Sequence, residues 1–203
     1  MPDLLRDMTT PPALRLRQQI EQFVSLTDDD WALLEPHLTV TTIKKHGLFA
    51  KEGVMATEVG VVLDGMLHQF YTKDGDERTT YFFFENHFLS AYISCLTRQP
   101  ARITIEALTD STYIGFSYAV LHELFEQRMA WQKFGRLLAE YLTVGLEERM
   151  VSLLLLSPKK RYLDLLTGSK KKILERVPQH YIANYLGITP VSLSRIRNQI
   201  LHN

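Results

Sequence analysis

The chain has 203 residues, 45% of them hydrophobic, enough to bury a full core and to make one domain with a smaller second one. Its 23 Lys plus Arg balance 23 Asp plus Glu, and no apolar run reaches the 18 residues that a membrane-spanning helix needs, so no membrane partner is expected. A single cysteine, Cys95, excludes an internal disulfide, and seven scattered histidines give no metal-ligand spacing, so no metal or cofactor is expected and Cys95 reads as a buried small apolar residue.

The N-terminal MPDLLRDMTTPP lacks a basic segment leading into an apolar one, so no secretory signal is read and the expected compartment is the cytoplasm. Residues 12–36 read as helical, first Leu14 to Phe23, then a segment capped by the Asp28-Asp29-Asp30 run and carrying Trp31, Leu33 and Leu34. From Leu38 the period changes to short β-branched and aromatic runs between turn signals: Leu38–Ile43, Val59–Leu63, Met66–Thr72, Arg78–Phe84, Ile103–Ala107 and Thr112–Ser117. Asp64-Gly65 and Asp74-Gly75 read as tight hairpins, and strands at this density predict an antiparallel barrel or jelly roll. Phe88–Leu96 breaks the alternation and reads as a short internal helix. Tyr118–Arg128 follows as one helix and Met129 to about Leu156 as a long one.

In the long helix Phe134, Leu138, Tyr141, Gly145 and Glu148 share one stripe, with Leu137, Tyr141 and Val144 beside it. About 42 Å of helix at 1.5 Å per residue exceeds what a small barrel covers, so a second copy of the chain is the expected partner, against packing on the barrel alone. Ser157-Pro158-Lys159 reads as a hinge, Lys160–Leu166 as a helix, Gly168-Ser169 as a turn, and Lys171–Arg176 as a short helix.

Gln179–Asn198, QHYIANYLGITPVSLSRIRN, has the spacing of a helix-turn-helix. Ile182, Ala183 and Leu186 form one apolar face, Gly187 supplies the turn, Thr189 caps the second helix with Pro190 at its first position, and Leu193 and Ile196 return the apolar face. The outward side chains suit phosphates and base edges: Gln179, His180, Thr189, Pro190, Val191, Ser192, Ser194, Arg195, Asn198 and, on the flank, Arg197. An αα-hairpin closing a core fits the same pattern. Charge separates the two readings, because from Pro158 onward nine basic residues face two acidic ones, leaving this end at +7 and residues 1–157 at −7. Such asymmetry suits double-stranded DNA as the partner of that end.

The order of helix, barrel, internal helix, long helix and helix-turn-helix resembles the Crp/Fnr family of bacterial transcription regulators across essentially the whole chain. VVLDGML (Val61–Leu67), ARITIEALTDSTYIGF (Ala101–Phe116) and VPQHYIANYLGITPVSLSRIR (Val177–Arg197) carry the resemblance, which is to the Bacteroidetes-type branch. Only Gln199–Asn203 follow the motif, so the family's C-terminal wing is expected to be absent. The resemblance implies an α+β fold, a cyclic-nucleotide-binding-like jelly roll (a double-stranded β-helix) followed by a small all-α domain. It implies segments 1–128 as sensor, 129–157 as dimerisation helix and 158–203 as DNA-binding domain. It further implies a homodimeric, non-enzymatic regulator that meets DNA and RNA polymerase.

Members that bind cyclic nucleotides carry a Gly-Glu pair opening the internal helix and an Arg after it; the aligned residues here are Ser90-Ala91 and Ala101, with Arg102 one position late. A one-residue displacement in a strand turns a side chain to the other face, so Arg102 is expected to point away from the ligand. Losing both partners removes roughly 1.5–3 kcal/mol for each charged hydrogen bond, and cAMP or cGMP is not expected to bind tightly. The candidate effector pocket comprises Phe84, Ser90, Ala91, Tyr92, Ala101, Arg102 and Tyr141, in a region made aromatic by Phe82, Phe83, Phe84, Phe88 and Tyr92. Its ligand is an unidentified small molecule or none, and the rings also read as plain core. The family's Arg-Glu reading pair is Pro190-Val191 here, whereas Arg195 aligns with a base-reading Arg.

Two rival readings follow from the same residues. A cupin-type barrel enzyme would need His46, His68 and His87 to converge with Glu85, at a spacing that matches no paired-His strand motif. A ligand-binding or protein-interaction module would keep the fold and lose DNA, against the charge of its C-terminal end.

Overall fold

The computed structural model of the protein describes residues 10–168 and 171–201. Residues 1–9, Ser169 of the expected turn, the basic Lys170, and the last two residues, His202 and Asn203, lie outside the described residues. In chain order the elements are α1 (Pro12–Glu21), α2 (Asp28–Leu34), β1 (Thr39–Ile43), β2 (Leu48–Ala50), β3 (Glu58–Asp64), β4 (Leu67–Lys73), β5 (Asp76–Phe83), β6 (Phe88–Leu89), α3 (Tyr92–Thr97), β7 (Thr104–Ala107), β8 (Ser111–Ser117), α4 (Tyr118–Gln127), α5 (Met129–Leu155), α6 (Pro158–Thr167), α7 (Lys172–Arg176), α8 (Gln179–Tyr185) and α9 (Pro190–Leu201).

The strands form two four-stranded sheets, ordered β1-β8-β3-β6 and β2-β7-β4-β5, the jelly roll that the alternation implied. Gly60 of β3 pairs with Gly115 of β8: a Cβ there would lie 2.4 Å from the Ile114 carbonyl oxygen, so only glycine fits. Between the sheets Val62, Leu67, Phe83, Leu89, Ile105 and Tyr113 interdigitate with the small Ala50, Ala91, Ala101 and Ala107.

Local signals account for most of the elements. Thr27, rather than the aspartates, caps α2: its hydroxyl accepts from Asp30 N–H while the Asp30 carboxylate accepts from Thr27 N–H, a capping box with the Asp run as first turn. Phe88 and Leu89 are a strand and not helix, pairing with Val61 and Gly60, because β3 needs hydrogen-bond partners on its second edge. The helix expected over Phe88–Leu96 therefore begins at Tyr92. Strand β2, three residues long, is too short to show alternation. Asp64-Gly65 turns a corner between the two sheets instead of joining a hairpin; Met66 N–H donates to Thr109 Oγ1 (3.0 Å) and Ser111 Oγ (3.1 Å), which fixes the corner. Only Asp74-Gly75 connects neighbouring strands.

Contacts divide the chain into two compact units, one of residues up to 68 with 83–140, the other of 69–82 with 141–203. In the first, α1 docks through Leu16 and Ile20, with Arg15 Nη2 donating to Leu63 O (2.8 Å), and the fully buried Trp131 packs edge-on to Phe134 and donates to Asp30 O. The second holds α6 to α9, the C-terminal part of α5 and the segment Gln69–Phe82. No helix of the described residues is long and apolar enough to cross a membrane.

Candidate nucleic-acid interface

Helices α8 and α9 meet through a tight turn. Ile188 N–H donates to Ala183 O (3.0 Å) and Gly187 N–H to Asn184 O (2.9 Å), the paired bonds that close a helix on a left-handed residue, with Gly187 at φ +70°. Thr189 then caps α9, accepting from Ser192 N–H at 3.2 Å. Ile182, Ala183 and Leu186 of α8 and Leu193 of α9 are all buried, so the small Ala183 lets the helices approach.

The opposite side of the pair is open. Gln179, His180, Thr189, Pro190, Val191, Ser194, Arg195 and Asn198 are exposed and Ser192 is half-buried. His180 stacks on Tyr181 at 4.1 Å. The Thr189 and Ser192 hydroxyls hydrogen-bond each other at 3.0 Å, which uses one of their two protons and leaves the other to donate outward. Arg195 makes no hydrogen bond or ion pair among the described residues, so its guanidinium is available to a ligand.

Three side chains with no signal in the sequence hold α8 in place. Arg161 is buried, and its guanidinium donates to Leu186 O through Nε (3.1 Å) and Nη2 (2.8 Å), and through Nη1 to Leu156 O (2.7 Å), with Ser152 O and Leu153 O at 3.4 Å. It thus satisfies the carbonyl ends of both α5 and α8, which carry partial negative charge. Arg149 lies 3.8 Å over the Tyr185 ring and donates to Tyr185 O. Burial lowers its pKa, Tyr185 opposes that shift and the charge of Arg161 adds to it. Asn184 bonds the β5 backbone, accepting from Thr79 N–H and donating to Glu77 O, both at 2.7 Å.

This arrangement corrects one reading. Arg161 is one of the nine basic residues behind the charge of the C-terminal end, yet it is sealed against carbonyls and unavailable to a polyanion. Lys160 pairs with Asp164 (2.8 Å) and Lys171 with Glu175 (3.6 Å), whereas Lys159, Lys172 and Arg195 stand exposed. At the expected hinge Ser157-Pro158-Lys159, Ser157 Oγ accepts from Lys160 N–H, Pro158 opens α6 at its first turn, and Arg161 bonds the end of α5.

The candidate effector residues do not form one pocket. Ala91 and Ala101 meet inside the filled core of the sheets. Ser90 Oγ donates to Glu58 O (3.2 Å), and Tyr92 sits edge-on to Tyr118 at 6.0 Å. Phe84 is buried beside His87, Arg102 is exposed, and Tyr141 belongs to the other compact unit. The aromatic run disperses in the same way, with Phe83 in the core, Phe88 against Phe23 and Phe134, and Phe82 against Tyr185. Consecutive strand residues face opposite ways, so a run of three Phe cannot line one cavity. A groove of about 360 Å³ opens elsewhere, lined by residues 48–51 and 54–58, among them Phe49, Met55 and Glu58. Among the described residues no group of three or more His, Cys, Asp or Glu is placed to hold a metal ion. His46 instead pairs with Glu106 at 2.7 Å.

At the edge of this groove, Tyr113 is buried in the core and donates its phenol to Glu58 Oε2 at 3.0 Å. Burial, then the Glu58 charge, pushes its pKa up to about 12, from about 10 in the unfolded chain. The folded state favours the neutral phenol, so this contribution is complete below the unfolded value and is lost as pH rises through the folded one. Denaturant titrations across pH 10 to 12 are expected to show wild-type stability falling more steeply than that of Tyr113→Phe. Parallel curves would mean that Tyr113 ionises as freely as in the unfolded chain.

Residues 40–128 match the family of the cyclic nucleotide-binding domain. No curated protein matches the sequence. Among solved structures, FixK2 from Bradyrhizobium japonicum is similar at 18% identity and a TM-score of 0.68, over 81% of this chain and 85% of that one. A protein described as a crp/fnr-family transcriptional regulator from Eubacterium rectale is similar at 17% identity and a TM-score of 0.63, over 87% and 84%. The catabolite activator protein of Thermus thermophilus is similar at 18% identity and a TM-score of 0.56, over 91% and 87%. At these identities the likeness is one of fold: a cyclic-nucleotide-binding-type jelly roll followed by helices.

Proposed function

We propose that the chain is a homodimeric, DNA-binding transcription regulator of the Crp/Fnr type, in which α9 lies in the major groove and the jelly roll acts as a sensor. The observation that carries the reading is the capped, glycine-turned α8–α9 pair, whose apolar side is buried and whose polar side, with Arg195, is open. Lys159 and Lys172 add exposed positive charge on the same unit for sequence-independent phosphate attraction. Segments 1–128, 129–157 and 158–203 are the proposed sensor, dimer helix and reading domain.

Dimerisation is supported by α5. Its stripe divides in two: Phe134 and Leu138 are buried in the first compact unit, while Tyr141 and Val144 are 59% and 56% exposed, and Val151 and Leu155 continue the exposed stripe. Spacings of three, seven and four residues keep these four side chains on one face, as a helix-to-helix seam requires. Cyclic nucleotides fit the sensor poorly, because Ala91 and Ala101 stand where a carboxylate and a guanidinium would be needed and neither can donate or accept from its side chain. An effector of other chemistry would act by favouring one arrangement of the dimer over another.

Arg195 tests the reading directly. Arg195→Ala is expected to weaken binding to a preferred duplex by about 1–3 kcal/mol and to relax selection at one base pair, measured by titration against duplexes carrying single substitutions. An unaltered footprint and affinity would remove Arg195 from base reading.

A further inference from the structure

We propose that Asn184 is a positioning residue that docks the helix-turn-helix onto the edge of β5 and holds it in the arrangement that engages DNA; this rests on the DNA-binding reading above. Strand β5 is the last strand of its sheet, so its outer edge presents main-chain groups with no neighbouring strand. The Asn184 carboxamide fits that edge as a strand residue would. Its oxygen accepts from Thr79 N–H and its nitrogen donates to Glu77 O, each at 2.7 Å. One residue of a parallel strand bridges the flanking positions i−1 and i+1 of its neighbour in the same pattern.

The dock is broader than two hydrogen bonds. Tyr185, the next residue of α8, sets its ring 5.4 Å from that of Phe82 near the end of the same strand, while Arg149 packs over that ring and donates to the Tyr185 carbonyl. Residues 69–82 accordingly belong to the same compact unit as α8 and α9. Asn184 and Tyr185 are not reading residues, and with the dock made Val191, Ser194 and Arg195 remain exposed. The contact therefore fixes the module without covering its reading face, which makes it a preorganising contact. A module that is docked only part of the time binds more weakly in proportion to the docked fraction.

The test compares the full-length wild type with Asn184→Ala and Asn184→Asp, using a duplex selected by the wild type from a random-sequence pool. Asp keeps the shape of Asn but cannot donate to Glu77 O and brings a charge against it. Affinity is expected to fall roughly tenfold for Ala and at least as far for Asp, with faster hydrogen exchange at the Thr79 amide. The slope of binding against salt is expected to stay constant, because Asn184 touches no phosphate. Equal or tighter binding by the Ala variant, an unchanged Thr79 amide, or a reduced salt slope would each overturn the proposal. So would a large drop in the melting temperature of both variants, since that makes Asn184 a packing residue. A wild type that selects no duplex removes the DNA-binding reading itself, a result separate from wild-type binding with indifferent variants.

Discussion

Arg161→Ala is expected to destabilise the C-terminal unit by about 3–5 kcal/mol, the largest single-residue effect outside the apolar core. The bonds to Leu186 O and Leu156 O are charge-assisted, the first buried and the second partly so, each worth roughly 1.5–3 kcal/mol, and their loss strands the carbonyl ends of two helices at once. A loss of that size is a large share of the total stability of a small domain. Arg161→Lys is expected to recover little, because one ammonium cannot reproduce the planar fork that spans Leu186 O and Leu156 O. Urea unfolding, followed by segment-resolved hydrogen exchange, measures the effect. A midpoint for residues 141–201 that stays at the wild-type value would show that the carbonyls find other partners.

The second large effect concerns α5. On the proposed dimeric, DNA-binding reading, Val144→Glu combined with Val151→Glu is expected to yield monomers and to lower DNA affinity by about 10²-fold or more, because a monomer could not bind two half-sites as one linked particle. Val144 and Val151 are 56% and 41% exposed, so the substitutions leave the core of either unit intact. Sedimentation equilibrium and duplex titration read the two consequences separately. A double variant that remains dimeric moves the seam to another face, such as the one bearing Leu146, Met150 and Leu154, which are also exposed. Dimer loss with undiminished affinity would instead mean that each copy reads DNA alone.

Much of the architecture could be read from local chemistry. The alternation from Leu38 to Ser117 implied the jelly roll because side chains in a strand must alternate between core and outside, and all six expected strands lie where the pattern put them. Gly187, Thr189 and Pro190 located the turn between α8 and α9 for equally local reasons: a left-handed φ, a hydroxyl cap, and a residue without an N–H at the first helical position. Where a segment's fate depended on a distant neighbour, the local signal failed. Phe88 and Leu89 have the composition of a helix start but became a strand because β3 offered an unpaired edge. The Asp64-Gly65 turn has hairpin chemistry, yet the strands on either side of it enter different sheets.

The interface divides in the same way. The sequence by itself determined which side chains α9 turns outward, since the period of a helix and the burial of Leu193 fix the direction of Val191, Ser194 and Arg195. Only the tertiary structure decided which arginines are available to a partner. Arg161 and Arg195 are indistinguishable by composition, but one is closed over the carbonyl ends of α5 and α8 and the other meets none. Asn184 likewise carries no local mark, because what gives it a role is the β5 edge, 105 residues away in sequence from Asn184 at Thr79. Turn and cap preferences act within a few residues and are written in the chain; the pairing of an orphan carbonyl or an open strand edge depends on what folding brings beside it.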